Sequence, residues 1–463
     1  MNPLLLLPEM LLFGGGLGVL IGGSFLPRRR LWITRAAAAT ALVAAIAVAA
    51  VALAGPGGEA FEGTFRVDTS TGVARIVAAF AVLLVLALAS DEIAGSPRES
   101  ETYALALFAT TGTLLLAGAN DLLVVAPAFL LASIPIYGLI GLARTSTGAE
   151  ATMKAYLLGA LFGIVLLLGI TLVYGVAGST RYADLATRLA EVAPGAVAAG
   201  VFAILCGLMF EAGGIPAHFW VPDAAQGASG TVAAFLTTVP KIGALLAVYR
   251  LVLALPGTLN WPLLIAVLAA ASMTLGNLAA YWQTDPRRLL GWSTVAQVGF
   301  LLVPLVAAGR SDLASPSLLF YLAGYTVTNL AAFAVTTALP TLRDLSSYRG
   351  LGWRHPWLGV ALVVALLGLV GTPPTAVFVG KLTTASAAWD GGYAWLAVLV
   401  VLNSLISLFY YLRWIVPTMS RPQADTVDVV PTRWAAVTAI SAAALSVALG
   451  VGAGAVWAAI GGG

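Results

Sequence analysis

Apolar runs of about 20 residues, each long enough to cross a bilayer as a helix, recur from one end of this 463-residue chain to the other. They fall at 4–25, 33–54, 72–90, 102–119, 121–143, 154–178, 195–215, 229–254, 261–282, 289–309, 315–340, 357–386, 393–416 and 433–459. Helices satisfy their own backbone groups in lipid, and barrel strands need only about 9–11 alternating residues. The expected fold is therefore an all-α membrane protein with about 14 transmembrane helices. Composition agrees: 60% of residues are hydrophobic and 9% charged, against about 25% charged in a soluble domain. Mean hydropathy is +0.97, incompatible with a surface that faces only water. The first run lacks a basic leader region and is long enough to span, so it reads as a membrane helix and not a cleavable signal.

Loop charge sets the expected orientation. Of the 23 basic residues, fifteen fall in odd-numbered loops, among them Arg28, Arg29, Arg30, Arg287 and Arg288. Six fall in even-numbered loops: Arg66, Arg75, Arg181, Arg188, Arg250 and Arg310. The excess places the odd loops in the cytoplasm and both termini on the outer face of a bacterial plasma membrane. This distribution also explains the basic isoelectric point without a nucleic-acid partner. The acidic stretch with Asp91, Glu92, Glu99 and Glu101 reads as a solvated or partner-facing loop.

The remaining two basic residues, Lys241 and Lys381, lie inside apolar runs, as does Glu211. An ionised group at a helix centre costs roughly 2.5–3.5 kcal/mol on insertion scales, and such groups face a bundle interior or a wet cavity and mark ion pathways. Lys241 sits about twelve residues into its run, too deep to reach the headgroups by snorkelling. Lys381 and Glu211 each adjoin a helix-breaking sequence. Gly213, Gly214 and Pro216 interrupt the seventh run, and Gly371, Pro373 and Pro374 interrupt the twelfth. Interrupted helices in corresponding positions of two halves point to repeats with an ion site at each break. Glu211 reads either as a partner of Lys241 or as a carrier in its own right.

Other chemistries find no support. The single cysteine, Cys206, lies in an apolar run and reads as a packed small hydrophobe. The two histidines, His218 and His355, are far apart, and no zinc or haem motif is present. The glycine-rich 14–18 segment lies inside a span and lacks the strand and the lysine of a phosphate loop. No catalytic residue, metal or cofactor is expected on this chain. The twelve tryptophans lie near span ends, as an interfacial belt would place them.

Several stretches carry a family likeness, in family order: LLLPEMLLFGGGLGVLIGG, IPAHFWVPDAAQGASGTVAAFLTTVPK, GNLAAYWQTDPRRLLGWSTVAQVGF, YLAGYTVTNLAAFAV, LSSYRGLG and GTPPTAVFVGK. The chain resembles the antiporter-like membrane subunits of respiratory complex I, a NADH-quinone oxidoreductase, and most closely the subunit N group. The resemblance implies two inverted five-helix repeats, helices 4–8 (101–256) and 9–13 (257–417). Three helices precede them (1–100) and one follows (418–463). It implies proton transport along a central axis, with Lys241 and Lys381 matching the family's eighth- and twelfth-helix positions. NADH, flavin, iron–sulfur clusters and quinone would sit on other subunits of the respiratory chain, and the partners would be neighbouring membrane-arm subunits and the lipid bilayer. His218 falls near a channel end as a polar relay. Three positions depart from the family. The fifth-helix glutamate falls at Leu130, the seventh-helix lysine at Glu211, and the tenth-helix histidine at Gln297, which orients water without titrating. A multisubunit cation/proton antiporter subunit and a non-conducting scaffold subunit remain alternatives at this stage.

Overall fold

The chain folds as a bundle of membrane-length helices, seen in a computed structural model that describes residues 3–422 and 429–461. The first half contains α1 (Leu7–Phe25), α2 (Trp32–Leu53), α3 (Thr69–Glu92), α4 (Glu99–Gly118), α5 (Leu122–Gly141) and α6 (Ser146–Ala177). A surface helix α7 (Tyr182–Arg188) leads to α8 (Pro194–Ala212) and the short α9 (Trp220–Gly227). Next come α10 (Gly230–Leu236), α11 (Val239–Leu253), α12 (Trp261–Ala280), α13 (Pro286–Val306) and α14 (Ala314–Ala338). The chain ends with α15 (Leu351–Arg354), α16 (Pro356–Val370), α17 (Ala376–Asp390), α18 (Ala394–Met419), α19 (Arg433–Val451) and α20 (Ala453–Gly461). Twelve helical segments among the described residues are long and apolar enough to cross a membrane. Helix α4 and the broken pair α16–α17 complete the fourteen crossings read from the sequence.

Loop contacts show that the crossings alternate. Strands β1 (Gly58–Ala60) and β2 (Phe65–Val67) form an antiparallel hairpin after α2. Phe65 bridges to Ala119 after α4, and Asp121 bridges to Arg181 after α6. The second, fourth and sixth loops thus share one face. On the opposite face, which carries Arg28–Arg30, the Leu345 N–H donates to the Thr284 carbonyl and the Gly350 N–H to the Pro417 carbonyl. We refer to this as the basic face.

Helices α10, α11, α13 and α14 run through the middle and are almost wholly buried, whereas α1, α2, α6 and α19 form the rim. Close approach in lipid relies on small residues. Gly276 of α12 lies against the main chain of Ala296 in α13, and Gly299 of α13 against Met273 in α12.

Four sequence readings need correction. The eighth span is broken, because helical geometry lapses at Thr237–Thr238 between α10 and α11. Arg75 and Arg250, counted as loop charges, lie in α3 and α11 and are buried. Arg75 makes a two-pronged pair with Glu9 of α1 at 2.7 and 2.8 Å, and a fork of parallel bonds suits a guanidinium meeting a carboxylate. The acidic stretch is not simply solvated. Asp91 accepts from the Ala435 N–H at the start of α19, Glu92 accepts from the Gly230 and Thr231 N–H groups at the start of α10, and Glu99 is buried against the Tyr103 hydroxyl. Finally, Trp220 and Trp414 are interior rather than interfacial.

Candidate functional site: two buried lysines at broken helices

Both breaks are built alike. Helix α8 ends on Gly213 (φ 78°) and α16 on Gly371 (φ 93°). Each glycine occupies the left-handed region that closes a helix C-terminus at little steric cost. The Gly213 N–H returns to the Met209 and Phe210 carbonyls, and the Gly371 N–H to those of Leu367 and Gly368. Pro216 and Pro373–Pro374 follow and prevent the helix from continuing. After the first break, the Ile215 N–H donates to Ser272 of α12. Gly214 packs against Val298.

A lysine stem lies against each capping glycine. A Cβ on Gly371 would stand 2.9 Å from Lys381 Cδ, and one on Gly213 would stand 3.4 Å from Lys241 Nζ. Lys381 Nζ donates to the Leu369 and Val370 carbonyls at 3.0 and 2.9 Å. These carbonyls end α16, where the helix dipole is negative and favours a cation. The Phe300 ring lies 3.8 Å from the same nitrogen, adding attraction from the aromatic face. Lys241, in the first turn of α11, is fully buried, with Nζ 3.5 Å from the Glu211 carbonyl and 5.1 Å from the Trp220 ring centre. Trp220 is held by its indole N–H on the Phe210 carbonyl. Neither lysine reaches lipid or headgroups; Lys381 is 5% exposed.

The Glu211 carboxylate does not form the ion pair with Lys241 that the sequence left open; Lys241 meets the Glu211 main chain instead. One carboxylate oxygen accepts from Ser133 of α5 at 2.5 Å, and the other meets no protein partner. Leu130, three residues before Ser133, is 39% exposed on the outer side of α5. His218 is buried between Phe219 and Trp292, with Nδ1 unpartnered by protein.

Helix α14 joins the two lysine sites, and sequence reasoning missed it. Gln297 donates to the Leu369 carbonyl, which Lys381 also uses, and accepts from the Tyr321 hydroxyl at 2.6 Å. Tyr325, one turn along, donates to the Thr237 carbonyl, freed by the break before Lys241. Asn329, a further turn along, donates to the Thr237 hydroxyl. The spacing 321, 325, 329 puts all three on one face of the helix, and that periodicity of polar residues in an apolar span was the available signal. Among the described residues no cluster of three His, Cys, Asp or Glu could hold a metal.

An all-α membrane protein whose discontinuous helices include two that each close against a buried lysine has the architecture of transporter-like membrane subunits. The family described as NADH:quinone oxidoreductase/Mrp antiporter, TM, matches residues 119–407. A NADH-quinone oxidoreductase subunit N of Mycobacterium sp. (strain JLS) is 64% identical over 99% of this chain and 98% of its own length. The subunit N 1 of Streptomyces griseus is 49% identical over 99% of this chain and 98% of its own. A chain of respiratory complex I from Thermus thermophilus superposes with a TM-score of 0.84 at 31% identity, covering 97% of this chain and 98% of that one. A chain of the Mrp complex from Dietzia sp. shares the fold, with a TM-score of 0.84 at 22% identity over 99% of this chain and 96% of that one. This chain belongs to the antiporter-like membrane-subunit family of NADH:quinone oxidoreductases, in its subunit N branch.

Proposed function

We propose that the chain carries protons across the membrane as a membrane-arm subunit of a complex-I-type NADH:quinone oxidoreductase. The observation that carries this reading is the pair of lysines, each buried at a helix break and joined by one polar face of α14. A buried ammonium is tolerated only where acceptors compensate for lost water. The carbonyls ending α16 supply them for Lys381. When Lys381 releases its proton, Gln297 still holds the Leu369 carbonyl. The change in charge is felt by Tyr321, which donates to Gln297. Tyr325 and Asn329 lie on the same helix and hold the break that precedes Lys241. Proton occupancy at one lysine therefore bears on the geometry at the other through a single rigid element. Glu211, with one free carboxylate oxygen beside the Lys241 site, adds a third group that exchanges protons.

The two breaks would be related by the inverted repeats 101–256 and 257–417, a relation supported by their matching caps at Gly213 and Gly371. The excess of basic residues puts the basic face in the cytoplasm and both termini outside the bacterial inner membrane. Electron transfer from NADH through flavin and iron–sulfur clusters to quinone belongs to other subunits of the assembly. The relatives in solved respiratory complexes support neighbouring membrane-arm subunits as partners.

The test is proton uptake into proteoliposomes carrying the intact complex with Lys241→Met or Lys381→Met. Either change should lower the protons moved per NADH oxidised. Unchanged uptake in both variants, with assembly intact, would leave a subunit that only seals the membrane arm. A sodium gradient formed in place of a proton gradient would favour a cation-antiporter role.

A further inference from the structure

A separate set of residues links the basic face to Lys241. Two cavities there share Glu92, Arg287 and Arg343. The outer one, about 380 Å³, is also lined by Gln226, Ser229 and Asp285. The inner one, about 20 Å³, lies against Gly230, Thr336 and Thr337, and a cavity of about 10–15 Å³ suffices for one water. Behind it runs the seam between α10 and α14. At the near end Gly230 abuts Thr337; at the far end Thr237 is held by Tyr325 and Asn329. Four buried polar atoms on these helices have no protein partner, the Thr231, Ser317 and Thr326 hydroxyls and the Asn329 side-chain carbonyl; of these, Thr231 adjoins Gly230 at the near end of the seam and Asn329 meets Thr237 at the far end. Unsatisfied buried polar groups are costly, and water is their usual partner. The seam ends at Thr237–Thr238, one turn before Lys241.

We infer that the cytoplasmic proton intake of this subunit is the α10–α14 seam, entered at the Glu92–Arg287–Arg343 mouth and delivering to Lys241 past Thr231, Thr337 and Asn329. The mouth sets two acids, Glu92 and Asp285, beside two arginines, which balances its formal charge. Burial pushes the Asp285 carboxyl up from its ordinary value. Arg287 also holds the mouth in shape by donating to the Ala228 carbonyl after α9. The Glu92 caps fix the start of α10 beside Thr337. On the α5 side, Ser133 occupies one Glu211 oxygen.

This inference rests on the proton-carrying reading, and the experiment separates the two. The isosteric pair Thr231→Val and Thr337→Val is placed in the intact complex, beside Lys241→Met. The expected result is a tenfold or greater loss of proton uptake in the double variant, with NADH oxidation by uncoupled vesicles retained. A second arm places a reactive thiol at the mouth with Gln226→Cys, the native Cys206 being buried, and treats the assembled complex with a small methanethiosulfonate, with the equally treated unsubstituted complex as the control for thiols on other subunits. Blocking should stop uptake that the unmodified variant sustains. If Lys241→Met stops uptake while the blocked mouth and the double variant pump normally, protons enter elsewhere and the inference falls alone. If Lys241→Met pumps at the full rate, the reading and the inference fall together. The thiol arm decides the matter even where the double variant fails to assemble.

Discussion

Gly371→Ala probes the Lys381 seat without touching a charged group. Alanine at φ 93° costs roughly 1–2 kcal/mol in the left-handed region. The new methyl also meets Lys381 Cδ at 2.9 Å, which pushes the stem aside and pulls Nζ from one or both carbonyls. A hydrogen bond to a charged group contributes about 1.5–3 kcal/mol. Losing one lowers the population of the seated ammonium by at least about tenfold, since 1.36 kcal/mol is a factor of ten. Gly392→Ala is the control: its φ is 85°, yet a Cβ there meets nothing within 4 Å. Both variants should lose thermal stability through the backbone cost, and Gly371→Ala should lose more, by the ammonium hydrogen bond it weakens. Only Gly371→Ala should lower proton uptake per NADH in proteoliposomes, by about tenfold if Lys381 limits the flux. Equal uptake in the two variants would refute the idea that the glycine positions the lysine.

Three further outcomes follow from the geometry. Ser133→Ala removes the one protein hydrogen bond of the Glu211 carboxylate and should slow uptake while leaving assembly intact, whereas Ser133→Thr should retain the wild-type rate. Removing one member of the buried Glu9–Arg75 pair should cost about 3–5 kcal/mol; Arg75→Met should lower the melting point of the complex, and Glu9→Leu added to it should recover most of the loss. Burial alone would raise the Asp68 carboxyl, but the Arg250 guanidinium more than offsets this and holds it below its ordinary value. A depressed carboxyl stabilises the fold above its unfolded pKa of about 3.9 and loses that contribution as pH falls through the folded value. Asp68→Asn should therefore lower thermal stability by the same amount at about pH 6 and about pH 8.

The apolar runs and the Gly–Pro interruptions were legible because each follows from one local rule: lipid demands closed backbone bonds, and glycine and proline end helices. Lys241, Lys381 and Glu211 stood out because a charge inside an apolar run is costly whatever surrounds it. What escaped depended on neighbours distant in sequence. The partner of Glu211 is Ser133, 78 residues away, and no local pattern singles out one serine among many. The acids Asp91 and Glu92 read as solvated because their roles lie at helix starts 344 and about 139 residues further on. Arg75 read as a loop charge because it lies near a helix end, and only its partner Glu9 shows that it is interior. The break in the eighth span was within reach. Pro240 disfavours helical geometry in the residue before it and sits comfortably in a first helical turn, and Thr237–Thr238 precede it. Glycine-free breaks are simply less conspicuous than Gly–Gly or Pro–Pro.

The most direct measurement of the central claim is the water structure inside the assembled complex in lipid, resolved by cryo-electron microscopy finely enough to place single solvent molecules. The account predicts ordered waters joining Lys241 to the Gln297–Tyr321–Lys381 group along α14. An unbroken apolar barrier between the lysines, dry in every state of the working complex, would contradict it.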